Sequence, residues 1–276
     1  AYAALREDNG SDLWVVYVDR RERNQLLACP GAICSGAAWA EAGQRMVFEK
    51  RTLASTTGAP GPPRLWWLDI DTGETAQMFA DSQMLGYGAV WSPTGEWLSY
   101  VAPGVQGVEV FRLEDGHSLV VPSRMGGLPA WSPQGDSLIV ADIQGSDAGF
   151  AVHLLKATPD DGELVDLSGE GQAVEDSSPG WSPAGNWIAF TRKVAGAAMG
   201  KQIWLMRADG SQASFLTNDT DIHHALPRWS PDGHTLAFQR FPLKEANAST
   251  SIWLLDVDSG NTRELVPGGN RPSWRP

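Results

Sequence analysis

The sequence has few cysteines, and their spacing excludes the common cysteine motifs. Cys29 and Cys34 are the only two, and the four residues between them are too many for the Cys-x-x-Cys pattern of redox and zinc sites. No other cysteine or nearby histidine completes a metal site. Pro30-Gly31 offers a turn that can bring the two sulfurs together, so we expect a local disulfide, which indicates an exported protein. The alternative is two unpaired thiols in a loop.

The sequence also lacks long apolar runs and an excess of positive charge. No apolar run approaches the roughly 18 residues that span a bilayer, so we expect no direct membrane insertion by these residues. The net charge is −12, which argues against nucleic acid and anionic membrane surfaces as partners. The chain does not begin with Met, which is compatible with a leader or membrane anchor outside these residues. We expect a periplasmic or extracellular location.

The common catalytic motifs are missing too. The sequence contains no Gly-x-Ser-x-Gly elbow, no His-Glu-x-x-His and no phosphate-binding glycine-rich loop. It also shows no sustained 3.6-residue apolar period of helical length. These absences favour an all-β protein that is not an enzyme.

What the sequence does contain is a repeat. The pattern Trp-Ser-Pro-x-Gly occurs four times, and degenerate copies begin at Trp39 and Trp274. The six repeated tryptophans, 40 to 52 residues apart, are Trp39, Trp91, Trp131, Trp181, Trp229 and Trp274. A fixed element at that period indicates repeated supersecondary units.

Each repeat contains four short runs with the composition of strands. In the fifth unit, Trp229 ends the first run, Thr235–Gln239 is the second, Ser251–Asp256 the third and Thr262–Val266 the fourth. Pro231 and Gly233 suit the tight turn between the first two runs. A four-stranded sheet repeated at this spacing is a propeller blade.

The count of repeats predicts six blades. Only two residues follow the sixth Trp, so the other strands of its blade must come from the N-terminus, where Tyr2–Leu5, Asp12–Asp19 and Gln25–Ala28 are candidates. The prediction is a six-bladed all-β propeller of antiparallel blades. Residues 1–276 form a single domain, with one C-terminal strand (270–276) and three N-terminal strands (1–28) in the last blade.

The motifs resemble those of a known family. The first half of one repeat, Pro227–Phe238, and the second half of the preceding repeat, Ile203–Thr217, resemble the repeat of TolB-type propellers. They are also similar to repeats in the propeller domains of tricorn and prolyl-oligopeptidase-like peptidases. The resemblance covers essentially the whole chain. It implies a periplasmic protein-binding role. TolB has a small α/β domain before its propeller, and this sequence has no counterpart, so TolB's particular partners do not carry over.

Polar residues precede the strand-ending tryptophans, on loops that lead from one blade to the next. In a propeller such loops surround one mouth of the central channel. The candidate binding residues there are Asp81, Glu175, Asp176, Asp219, Asp221, His223, His224 and Arg228. Carboxylates and imidazoles together can bind a divalent cation or a cationic peptide group, and the alternative is solvated loop polarity. We assign no catalytic residue, metal ligand or cofactor, with a divalent cation at the mouth left open.

Two further features distinguish the blades. Long loops rich in Lys and Arg join the second and third strands at Lys50–Pro63, Lys193–Lys201 and Phe241–Thr250. We expect these loops to make one face basic and the loops between blades to make the opposite mouth acidic, which would steer partners by charge. Trp67 has no counterpart in the other repeats, so it is the candidate for an exposed aromatic contact.

The sequence thus favours a non-catalytic, exported propeller that binds a protein or peptide at the channel mouth. One alternative is a metal-binding or hydrolytic propeller that uses Asp219–His224. The other is the propeller part of a larger peptidase or of a membrane-anchored sensor.

Overall fold

A computed structural model describes residues 1–40, 43–81, 83–146, 149–159, 163–194, 200–219, 221–245 and 248–276. Across these ranges the regular secondary structure consists of β-strands. The described residues include no helix that is long and apolar enough to cross a membrane.

The described part of the chain forms 24 strands. In chain order they are β1 (Tyr2–Leu5), β2 (Ser11–Val16), β3 (Arg23–Leu27), β4 (Ala32–Trp39), β5 (Arg45–Thr52), β6 (Arg64–Asp69), β7 (Thr75–Gln77), β8 (Tyr87–Trp91), β9 (Trp97–Val101), β10 (Gly107–Arg112), β11 (Ser118–Pro122), β12 (Ala130–Trp131), β13 (Leu138–Ser146), β14 (Gly149–Ala157), β15 (Leu164–Asp166), β16 (Val174–Trp181), β17 (Trp187–Val194), β18 (Gln202–Arg207), β19 (Ser214–Phe215), β20 (Ile222–Trp229), β21 (Thr235–Pro242), β22 (Ser251–Asp256), β23 (Thr262–Pro267) and β24 (Gly269–Asn270).

These strands pair in fours as antiparallel blades. Blades 1 to 5 are β4–β7, β8–β11, β12–β15, β16–β19 and β20–β23, and the closing blade has the order β24, β1, β2, β3. The first strands of neighbouring blades contact one another, β4 with β8, β8 with β12, β12 with β16 and β16 with β20. They therefore line the centre of the ring. The predicted all-β, six-bladed propeller is confirmed.

The Trp-Ser-Pro-x-Gly motif forms the turn between the first and second strands. Ser92 Oγ accepts the Trp97 amide at 3.0 Å, and the Gly95 amide donates to Ser92 O at 2.9 Å. Gly95 has a φ of 71°, which glycine adopts without steric cost. The serine bond recurs at 3.0 Å in blades 4 and 5, from the amides of Trp187 and Thr235. The motif thus specifies a turn.

The repeated tryptophans pack between neighbouring blades. The Trp229 indole donates to Gly180 O of blade 4 at 3.0 Å, and the Trp274 indole donates to Arg228 O of blade 5 at 2.9 Å. Apolar side chains of blades 4 and 5, such as Ile203 and Phe238, share one buried cluster. Each blade therefore buries its apolar surface against its neighbour.

The two ends of the chain meet in the closing blade. Ala3 and Ala4 of β1 pair with Asn270 and Gly269 of β24. The Ala1 amine donates to Ser273 O at 2.5 Å, and the Ser273 amide donates back to Ala1 O at 2.9 Å. The pairing begins one residue before the predicted boundary at 270.

The predicted disulfide between Cys29 and Cys34 is present, with a Cα–Cα distance of 6.2 Å. Both residues are buried. The Cys29 amide donates to Asp12 Oδ1 at 2.8 Å, and Ser11 Oγ donates to Cys34 O at 2.8 Å. The bridge therefore joins the closing blade to blade 1.

The burial of β1 in the closing blade can be tested by replacing a buried and an exposed alanine with aspartate. Ala3 in β1 is 1% exposed, whereas Ala76 in the outer strand β7 is exposed. We expect Ala3→Asp to lower the free energy of unfolding by at least about 3 kcal/mol, because it buries an unpaired carboxylate. Ala76→Asp should change it by no more than about 0.5 kcal/mol. Urea denaturation measures both, and equal small effects would contradict a buried β1.

The disulfide has its own prediction. Its loop is short, so the chain-entropy model gives a stabilisation of about 2 kcal/mol. Reduced wild-type protein and the Cys29→Ala/Cys34→Ala double variant should both unfold at lower urea concentration by that amount. An unchanged midpoint after complete reduction would show that the bridge adds nothing to stability.

Candidate functional site

The loops of the propeller lie on two faces. Because strands alternate in direction within a blade, loops from the second to the third strand share a face with loops from one blade to the next. We call this the upper face, and the Trp-Ser-Pro-x-Gly turns lie on the lower face. Hydrogen bonds join the two kinds of upper loop, from the Leu243 amide to Asp221 O at 2.9 Å and from the Gly86 amide to Pro63 O at 3.1 Å.

The prediction of one basic and one acidic face is therefore wrong. The basic side chains of the second-to-third-strand loops and the carboxylates before the first strands occupy the same upper face and pair with each other. The pairs are Arg192 with Asp176 at 2.6 Å, Arg240 with Asp219 at 3.4 Å and Lys244 with Asp221 at 2.7 Å. Parts of two of these loops, residues 195–199 and 246–247, lie outside the described residues.

Asp176 is buried and hydrogen-bonded within the protein, so its carboxylate is not free to bind a cation or a peptide group. The first strands of blades 4 and 5 begin earlier than predicted, so Glu175 and Asp176 lie in β16, while His223 and His224 lie in β20. Arg192 Nε and Nη2 donate to the two Asp176 carboxylate oxygens at 2.7 and 2.6 Å, and Ser168 Oγ adds a third bond at 2.6 Å. These bonds join blade 4 to the loop after β15.

His224 is also buried, at the junction of blades 4 and 5. Its Nδ1 lies 2.7 Å from Thr217 Oγ1, and its Nε2 lies 3.4 Å from Asp219 Oδ2. Burial lowers the pKa of His224 to about 4, against a smaller opposing effect of the Asp219 carboxylate. His224 is therefore neutral at physiological pH.

Lys201 and His223 lie beside this junction. Lys201 Nζ donates to Ser177 Oγ at 2.9 Å, and burial lowers the pKa of Lys201 against the attraction of Glu175 and Asp176. The His223 ring stacks on Phe241 with centroids 4.7 Å apart. Burial, followed by the charge of Lys201, lowers the pKa of His223.

The remaining predicted residues do not join this group. Asp81 is exposed in the loop before β8, where it accepts the Gln83 amide at 2.8 Å in a local turn. Trp67 is half-buried instead of exposed, because its ring packs against Trp91 at 5.3 Å in the contact between blades 1 and 2. Arg228 lies in the channel. Within the described ranges, no three His, Cys, Asp or Glu side chains are grouped to hold a metal ion.

Arg228 lines a cavity of about 270 Å³ in the central channel. The innermost strands bulge before their tryptophans, and in β20 the register shifts between Ala225 and Arg228. Leu226 in this bulge has a φ of 53°. Such a bulge re-aims the following side chain, which here is Arg228.

Sequence reasoning missed a set of exposed apolar side chains. Five of the blades each carry one such side chain at the point where the second strand leads to the third, on the upper face. They are Leu5, Val105, Phe150, Val194 and Leu243. Phe150 is 89% exposed, in a hairpin whose paired strands β13 and β14 are nine residues each. The available sequence signal was an aromatic residue, Phe150, in the segment that joins the second run of its repeat to the third.

The fold and the motifs agree with the comparisons to known proteins. The family model described as the TolB beta propeller domain matches residues 53–276. The chain belongs to the TolB β-propeller family. An uncharacterized Agrobacterium fabrum protein is 26% identical over 86% of this chain and 80% of its own length. The Tol-Pal system protein TolB of Gluconobacter oxydans is 33% identical over 36% of this chain, which is 22% of that protein.

Solved structures share the fold of this TolB-family chain. An Agrobacterium tumefaciens protein described as a candidate TolB superposes with a TM-score of 0.74 at 20% identity, over 94% of this chain and 92% of its own. TolB of Acinetobacter baumannii gives 0.73 at 15% identity, over 97% of this chain and 63% of its own. At these identities the likeness establishes the fold alone.

His224 predicts a pH dependence of stability. Its pKa is about 4 in the folded protein and ordinary in the unfolded chain, so only the unfolded state gains a proton as the pH falls below about 6.5. Between pH 6.5 and 4 the wild type should lose about 3 kcal/mol that His224→Gln does not lose. Urea denaturation across this range tests it, and parallel pH profiles would contradict a buried neutral imidazole.

Proposed function

We propose that this propeller is a non-catalytic, exported protein that binds a protein or peptide partner with its upper face, around the channel mouth. The exposed apolar side chains on five upper loops support this most directly. Five of the exposed apolar side chains thus share the upper face, where they offer apolar contacts to a partner. Ion pairs such as Arg240 with Asp219 and Lys244 with Asp221 lie on the same face, which suits a polar surround to apolar contacts.

Two further observations support the location and the class of partner. The buried Cys29–Cys34 bridge fits an oxidising compartment, the periplasm or the extracellular space. Two relatives carry the name Tol-Pal system protein TolB. A protein partner of this chain is the corresponding proposal.

Phe150 is the residue to test, and Leu113 is its control on the opposite face. Leu113 is 40% exposed in the turn between β10 and β11, where its amide donates to Glu96 O at 3.3 Å beside a Trp-Ser-Pro-x-Gly turn of the lower face. A partner captured by crosslinking from periplasmic extract would be identified, purified and titrated against the variants. We expect Phe150→Asp to weaken its binding about 30-fold, as loss of an aromatic hot spot does, and Leu113→Asp to leave it unchanged.

Both substitutions exchange an exposed apolar side chain for an aspartate, so they alter the net charge equally. Unchanged binding by Phe150→Asp, or equal losses in the two variants, would contradict docking on the upper face.

A further inference from the structure

Arg228 departs from the repeat at a position that is otherwise small and neutral. It is the residue immediately before the strand-ending tryptophan of blade 5. The equivalent residues of the other blades are Ala38, Val90, Ala130, Gly180 and Ser273. The other five blades close around the channel without a charge at this position, so the propeller architecture does not require one in blade 5.

The guanidinium of Arg228 is only partly satisfied by the protein. Its Nη1 donates to Pro179 O at 3.1 Å and to Pro227 O at 3.2 Å. A guanidinium has five N–H donors. In the described part of the chain, the Nε and Nη2 of Arg228 make no hydrogen bond to the protein.

The positive charge of Arg228 also lacks a counter-ion, in contrast to that of its neighbour Arg271. The Arg271 Nη1 lies 2.7 Å from Glu49 Oε1, and both side chains belong to the centre of the ring. No carboxylate of the described residues lies within 4.0 Å of the Arg228 guanidinium. Burial lowers the pKa of Arg228 to about 10, so the group remains charged at neutral pH.

An unpaired cation in a confined channel is costly to retain, and a bound anion offsets that cost. The cavity around Arg228 is largely apolar, with Val90, Leu128 and the rings of Trp91 and Trp274 in its wall. Arg271 also lines this cavity, but its charge is paired with Glu49, so one unpaired cation remains, which favours a carboxylate over a phosphate dianion. A volume of about 270 Å³ lies below the usual size of small-molecule sites, so a side-chain-sized group is the better fit.

We propose that Arg228 binds a carboxylate carried by an extended segment of the partner, which inserts this group into the central channel. The proposal rests on the proposed function for the statement that the partner is a protein. It adds the chemistry of the group that is recognised: an acidic side chain or chain end with apolar neighbours. Arg228 supplies the charge and two free donor positions, as arginine does for carboxylates.

The test compares two capped pentapeptides, acetyl-Ala-Ala-Glu-Ala-Ala-amide and its Gln counterpart. Binding is followed by the fluorescence of the tryptophans that line the cavity. For the wild type we expect the Glu peptide to bind at least tenfold more tightly than the Gln peptide. Arg228→Gln should abolish this discrimination. Arg263→Gln removes an exposed arginine of the same blade and should retain it.

Three results would overturn the proposal. They are no preference of the wild type for the Glu peptide, a preference that survives in Arg228→Gln, and propanoate binding as tightly as the Glu peptide. The last would show that the site takes a free small acid and gains nothing from a peptide. If Arg228→Gln does not fold, Arg228→Ala replaces it with the residue that blades 1 and 3 carry at this position, and we expect this variant to lose the discrimination as well.

The same variants separate this inference from the proposed function. Partner binding that fails in Phe150→Asp while Arg228→Gln retains Glu discrimination would support the docking face and contradict the carboxylate site. Loss of Glu discrimination in Arg228→Gln together with normal partner binding by Phe150→Asp would support the carboxylate site and contradict the docking face.

Discussion

The pairing of β24 with β1 is the constraint on which the rest of the structure depends. Each blade buries its apolar surface only against its two neighbours, so an open ring would expose one face at each end. Hydrogen bonds from Ala3 and Ala4 to the C-terminal strand remove those ends. The disulfide at Cys29–Cys34 then holds the closing blade to blade 1. The channel exists only because the ring is closed.

The arrangement of the blades also determines which charged side chains are paired. On the upper face, the antiparallel strands bring acidic and basic loops together, and their side chains neutralise each other in pairs such as Asp176 with Arg192. These pairs join neighbouring loops of the upper face. Two features have no evident role in holding the blades together. They are the exposed apolar side chains where second strands lead to third strands, and the unpaired Arg228 in the channel.

Repetition explains what the sequence could predict. Turn residues such as Gly95 and packing residues such as Trp229 recur in fixed positions, so six blades, their strands and the closing blade followed from the spacing. The alternation of strand direction could also have placed the acidic and basic loops on one face. The burial of His224 could not be predicted, because it depends on Thr217 in the loop after β19 and on Phe238 in β21. The packing of Trp67 on Trp91 likewise required the contact between two blades.

Native-state hydrogen exchange tests ring closure most directly. The relevant amides are those of β1, in the closing blade, and of β9, in blade 2. If the ring is closed by a fully integrated β1, both strands should exchange only through global unfolding, with free energies of opening within about 1 kcal/mol of each other. Exchange of β1 at a free energy several kcal/mol lower, while β9 stays protected, would contradict closure as the constraint that holds the propeller together.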